Sequence, residues 1–109
     1  MPRLTRRLVH ELPVFVPDGA GGRTRGWEAR GAHWAELRMR SGRLAEREFG
    51  REPVLALRIV IHAVPEAHGA RPWPGHRLTD GARRYVVEAV HEARDPRYLT
   101  VLAREAVRA

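Results

Sequence analysis

Apolar and polar positions along this chain recur mainly with a period of two, the spacing of strands whose side chains point alternately to opposite faces. Arg7 to Val16 carries Leu8, Val9, Leu12, Val14, Phe15 and Val16, a β-branched and apolar set that predicts a strand, with Pro13 marking a bulge or an edge position. The pattern stops at Pro17-Asp18-Gly19-Ala20-Gly21-Gly22, where the glycines accept positive φ without steric cost. A mobile hairpin tip is expected there, with a return strand from Thr24 to about Glu28. His33 to Arg40 alternates cleanly and sets Ala35, Leu37 and Met39 on one face against Trp34, Glu36, Arg38 and Arg40 on the other.

Ser41 to Arg51 changes character. Arg43, Glu46, Arg47, Glu48 and Arg51 surround Leu44, Ala45 and Phe49, which suits one or two helical turns with local charge pairing between Gly42 and Gly50. Val54 to Val64 is a run of Val, Leu, Ile and Ala, broken by Arg58 and His62, and predicts a strand buried on most of both faces. Pro65 to Gly75 is rich in Pro and Gly and reads as an ordered loop, with Trp73 held between Pro72 and Pro74. His76 to Thr79 and Arg83 to Ala93 flank Asp80-Gly81, a hairpin signal, and Tyr98 to Val107 supplies a last strand after the Asp95-Pro96 turn. The sum is one all-β domain over 1–109, a small barrel or sandwich of six or seven strands with one short helix and long loops. Trp27 and Trp34 are expected in the core, whereas Trp73 suits an exposed contact.

At 109 residues the chain has room for a single core. Arg supplies all 20 of its basic side chains against 13 acidic ones, leaving a net charge of +7; Lys, Asn and Gln do not occur. That composition fits a GC-rich genome, so the choice of Arg over Lys carries little functional weight, but the charge favours polyanions or acidic protein surfaces. Cysteine is absent, which excludes disulfides and thiolate zinc sites. No apolar stretch approaches the ~20 residues that span a bilayer, and the run Met1-Pro2-Arg3-Leu4 lacks the apolar block of a signal peptide, so a soluble protein beginning near Met1 is expected.

Catalytic and metal chemistry find little support. His10, His33, His62, His68, His76 and His91 include no helical i,i+4 pair and read as ordinary strand and loop residues. Ser41, the one serine, lacks the strand-to-helix elbow of a nucleophile. Glu46 with Glu48, and Glu88 with Glu92, lie among arginines, where salt bridging is the expected use. Gly19-Ala20-Gly21-Gly22 has no following Gly-Lys-Ser/Thr and is no phosphate cradle. No enzyme activity and no cofactor are expected.

The order of short motifs resembles the head-tail joining (stopper, or head-closure) proteins of tailed phages. In the N-terminal half the resemblance lies in Leu4-x-x-Arg7-Leu8-Val9, Asp18-Gly19-x-Gly21-Gly22 followed by Trp27, Trp34-Ala35-Glu36-Leu37 and Ser41-Gly42-Arg43. In the C-terminal half it lies in Pro74-Gly75-x-Arg77-Leu78, Asp80-Gly81, Tyr85-Val86-Val87-Glu88-Ala89-Val90 and Leu99-x-x-Leu102-x-x-Glu105. Pro65 to Trp73 looks longer than the usual connection, and Leu44 to Glu52 more charged. The resemblance implies a virion subunit that assembles into a six- or twelve-fold ring between a portal or adaptor protein and a tail terminator or tail tube protein. Such a ring closes the head around packaged double-stranded DNA; the composition also fits a gene transfer agent. Expected contacts with partners or the DNA channel are Asp18, Gly21, Gly22, Arg23, Arg25, Arg43, Arg47, Arg71 and Trp73. A free-standing nucleic-acid-binding barrel is the rival reading; against it, the seven aromatics do not alternate with arginines along one strand as a stacking platform would.

Overall fold

A computed structural model describes residues 1–47 and 50–105, with side chains described for 1–40 and 55–105. Six antiparallel strands run in the order β1 (Arg6–Pro17), β2 (Arg23–Arg47), β3 (Gly50–His62), β4 (Arg77–Thr79), β5 (Arg84–Glu92) and β6 (Tyr98–Glu105). They close on themselves as β1-β2-β3-β6-β5-β4, with β4 pairing back onto β1. Closure removes the exposed sheet edges at which strands of other chains would pair. The all-β expectation holds, and six strands fall within the expected number.

The core forms where the alternation of the central strands turns inward. Ile59 and Ile61 on β3 and Leu99, Val101 and Ala103 on β6 are fully enclosed, joined from across the barrel by Leu8, Ala35, Leu78, Tyr85 and Val87. Pairing Ile59 with Val101 and Ile61 with Leu99 sets apolar side chains side by side on one face, so a register slip of one residue would turn the whole set to solvent.

Strand β2 departs most from the sequence reading. It has 25 residues, roughly 80 Å if straight at 3.3 Å per residue, whereas the molecule's longest dimension is 50 Å. The strand must therefore bend, and it does so at two irregularities. Between the pairs Glu11–Ala29 and Val9–Ala32, β2 carries one residue more than β1, and Gly31 there adopts φ +106°, which a side-chain-bearing residue rarely takes. The second lies between Met39 and Ser41. The Gly31 bulge reverses the inside–outside phase of β2, so the two strands expected over Thr24–Glu28 and His33–Arg40 are one strand with opposite phases on either side of it.

The expectation that Trp27 and Trp34 lie in the core is corrected: Trp27 stands on the outer face beneath Arg77, and Trp34 is exposed. Trp34 lies opposite Arg7 on the outer face and is 54% exposed, because its neighbour Ala35 takes the inward position at 0%. Met39 shares the inward phase of Ala35 yet is 70% exposed, since the pairing of β1 with β2 ends at Arg6–Ala35 and leaves Met39 uncovered on that side. The short helix over Ser41–Arg51 is also overturned: β2 continues to Arg47 and β3 begins at Gly50, paired from Arg43–Val54 to Arg47–Gly50. An eleven-residue helix between glycines is marginal alone, while the hairpin extends a register that the core strands already fix. Beyond Ala56, the last β3 residue paired with β6, this hairpin projects as a two-stranded arm. Residues 48–49, and residues 106–109, which include the last two of the expected strand Tyr98–Val107, lie outside the described residues.

Candidate interaction surfaces

The β1–β2 hairpin presents the first surface. Its tip is organised by Asp18, whose Oδ1 accepts the backbone N–H groups of Ala20 (2.8 Å) and Gly22 (3.1 Å), while the Asp18 N–H donates to the Gly22 carbonyl at 3.1 Å. Gly19 and Gly21 take φ of +81° and +86°, and a Cβ on Gly22 would fall 2.8 Å from the Asp18 carboxylate. Three expected contact residues, Asp18, Gly21 and Gly22, thus form one turn, and Arg23 and Arg25 leave it along β2.

Above the turn, one face of the hairpin is a stack of rings and guanidinium groups. The register pairs Pro17 with Arg23, Phe15 with Arg25 and Pro13 with Trp27, so these alternate residues share the outer face. Arg23 and Arg25 lie 5.7 and 5.8 Å from the centre of the Phe15 ring, and Arg25 lies 5.8 Å from Trp27. Arg77 on β4 covers Trp27 at 4.1 Å while its Nε donates to Glu11 Oε1 at 2.5 Å. Each such contact contributes roughly 0.5–2 kcal/mol, more where solvent is excluded as at Arg77. Phe15 stays 58% exposed. The alternation of aromatics with arginines that no single strand shows is assembled across strands, and only the pairing of β1 with β2 and β4 could reveal it.

The loop between β3 and β4 forms the second surface, and it is stitched internally. The His68 N–H donates to Pro65 O and the Arg71 N–H to His68 O, both at 3.0 Å; Gly75 N–H to Val87 O and Val87 N–H to His76 O follow at 2.9 Å. Arg71 is buried and its Nη1 donates to Val64 O at 3.0 Å, with the Trp73 ring 5.6 Å from its guanidinium carbon. Arg71 therefore braces the loop, and Trp73, 44% exposed, is the large apolar side chain that the loop presents among its exposed residues. Arg43 and Arg47 sit on the projecting arm, opposite Val54 and Gly50; their side chains lie outside the described residues. The expected contacts therefore fall on three separate projections and do not converge on one pocket.

Sequence spacing carries no sign that three histidines meet between β1, β2 and this loop. His10 Nε2 lies 2.8 Å from His76 Nδ1, and the His10 and His33 rings are 5.8 Å apart. His10 is fully buried; burial first, then His76, His33 and Arg30, push its pKa down to about 4. Burial also lowers His33, against the opposing hydrogen bond to Ala70, and lowers His76, helped by Arg30. Among the described residues no group of three metal-ligating side chains is placed to hold an ion.

Comparison with known proteins bears on what these surfaces serve. Among curated proteins nothing matches the chain. Among solved structures, a chain of the virion of a native gene transfer agent particle superposes with a TM-score of 0.84 at 41% identity, covering 99% of this chain and 100% of that one. Protein SF1141 from Shigella flexneri 2a superposes with a TM-score of 0.67 over 100% of this chain and 98% of that one; at 20% identity it speaks to the fold alone. The family model described as phage head completion protein matches residues 1–106. The chain belongs to the phage head completion protein family.

Proposed function

We propose that this protein is the head-closure subunit of a phage-like particle, forming a ring between the portal or adaptor and the tail terminator or tail tube, retaining packaged DNA and offering the tail its docking face. The observation that carries the reading is the family match over residues 1–106, joined to 41% identity along the full length of a gene transfer agent virion chain. Its place would accordingly be a virion or virion-like particle, at the head-tail interface.

The geometry is suited to such a role. A ring protomer meets two neighbours and two axial partners, and a standard contact hides about 800 Å² per partner. Three projections on a closed barrel supply contact area without opening the core, and assembly stabilises a small domain by mass action. Arg23 and Arg25 on the hairpin would meet DNA phosphates without reading sequence, as would Arg43 and Arg47 on the arm. Trp73 offers the rigid aromatic anchor typical of a binding hot spot. Deleting the gene tests the reading: filled heads without tails are expected, and normal infectious particles would refute it.

The arginine–aromatic stack favours one rival, a basic barrel that binds nucleic acid as a free monomer. Titrating the purified protein with short DNA at several salt concentrations separates the two. Micromolar or tighter, strongly salt-dependent binding by a monomer supports the rival, and negligible binding supports the ring subunit.

A further inference from the structure

The histidine cluster has no part in that role, yet its hydrogen bonds fix its chemistry closely. Trp73 N–H can only donate, and it donates to His76 Nδ1 at 3.1 Å. His76 Nδ1 is therefore the unprotonated nitrogen, and His10 Nε2, 2.8 Å away, must carry the proton it shares with that same lone pair. His10 Nδ1 is then bare, buried and without a partner. Ala70 O can only accept, so His33 Nε2, 2.8 Å from it, is protonated. The His76 ring is consequently neutral with its proton on Nε2, and burial disfavours a second proton on His10 and His33, whose Nε2 atoms are the donors. Two strands hold the loop through these bonds: β1 by His10 at His76, and β2 by His33 at Ala70.

We propose that His10, His33 and His76 form a proton-sensitive fastening of the 63–76 loop, released when His76 takes a proton on Nδ1. A proton there sets an N–H against the Trp73 N–H and removes that bond; the bond to His10 survives only where His10 moves its own proton to the buried, partnerless Nδ1. Protonating His33 on its free Nδ1 would leave its bond to Ala70 intact, so His76 is the sensitive member. The charges around the site reinforce release. Arg30 on β2 faces both His10 and His76 and opposes a further positive charge. Glu11 and Arg77, on β1 and β4 beside the cluster, are bound to each other. From the loop, His68 Nδ1 accepts the Ala70 N–H, Arg71 keeps its positive charge with Nη1 on Val64 O and its buried Nε unpartnered, and β5 faces the loop with the backbone of Val87. Release would loosen the Trp73 amide, while the backbone bonds of Gly75 and His76 to Val87 and of His76 to Trp73 stay in place and the barrel stays closed, since the core side chains lie on other strand positions.

The experiment is ¹⁵N NMR of the full chain from pH 8 to 4.5, following the imidazole nitrogens together with amide exchange in the loop and the barrel. The expected result is that protection of the Trp73 amide falls by roughly tenfold or more as His76 titrates, the scale of losing a hydrogen bond, while amides of β3 and β6 keep theirs. His76→Asn places an oxygen acceptor near the Nδ1 position and does not titrate, so it should hold the loop closed across the range. His33→Gln, which keeps a donor to Ala70, should retain the wild-type pH step. Loss of loop and barrel protection in one step would overturn the proposal. So would unchanged Trp73 protection through the His76 titration, or a His76→Asn loop that opens with acid as the wild type does.

Discussion

Leu78→Ala tests whether the barrel closes through β4. This strand is three residues long, and each of its residues pairs with β1 on one side and β5 on the other. Leu78 lies between His10 and Tyr85, is 0% exposed, and is the one large apolar side chain β4 gives to the core. Truncating it removes its transfer free energy and leaves a cavity that rigid neighbouring strands cannot fill, a loss of about 2–5 kcal/mol. A domain of this size holds roughly 5–15 kcal/mol in total, and each kilocalorie is worth about 4–8 °C in Tm. A fall of roughly 10–40 °C is expected, read by circular dichroism on heating and by urea unfolding with tryptophan fluorescence. Val16→Ala, at a position 53% exposed, is the control and should stay within about 0.5 kcal/mol of wild type. If Leu78→Ala costs no more than Val16→Ala, β4 does not seal the barrel and the placing of the hairpin beside the 63–76 loop loses its basis.

Other outcomes follow from the same geometry. Asp18→Ala removes the acceptor of two backbone N–H groups at the hairpin tip and should speed amide exchange at Ala20 and Gly22, with a stability loss near 1 kcal/mol. His10, with its folded pKa near 4 against about 6.5 when unfolded, contributes full stability above pH 6.5; this declines as pH falls towards 4, because the unfolded chain takes the proton first. The urea midpoint should follow that course between pH 7.5 and 4.5, and His10→Gln should make it shallower, the remaining slope coming from His33 and His76, which burial also lowers. If the hairpin touches DNA, Arg23→Ala with Arg25→Ala should lower the slope of log affinity against log salt by about one for each phosphate no longer neutralised.

Much of the fold is legible where burial speaks locally. The Val54–Val64 run and the alternation after Tyr98 announce strands that become the centre of the barrel, and Asp80-Gly81 announces the β4–β5 hairpin. The phase reversal in β2 leaves a fainter sign, a glycine inside Ala29-Arg30-Gly31-Ala32, since glycine within a strand often marks a bulge. Without that bulge Trp34 reads as core. Ser41–Arg51 misleads because charges interleaved with Leu44 and Phe49 fit either period, and the pairing that decides it comes from the partner strand. Surfaces made by long-range pairing leave no local trace: Arg77 reaches Trp27 only because β4 closes onto β1, and His10 meets His76 across 66 residues of sequence.

Whether a closed barrel of this family serves as the ring subunit sealing a DNA-filled head is decided by a cryo-EM reconstruction of particles produced with this chain. Copies of the chain are expected in one ring at the head-tail junction, with the hairpin or the arm directed towards the DNA channel. Particles whose junction is built without it, or copies spread over the capsid shell or along the tail, would rule that role out.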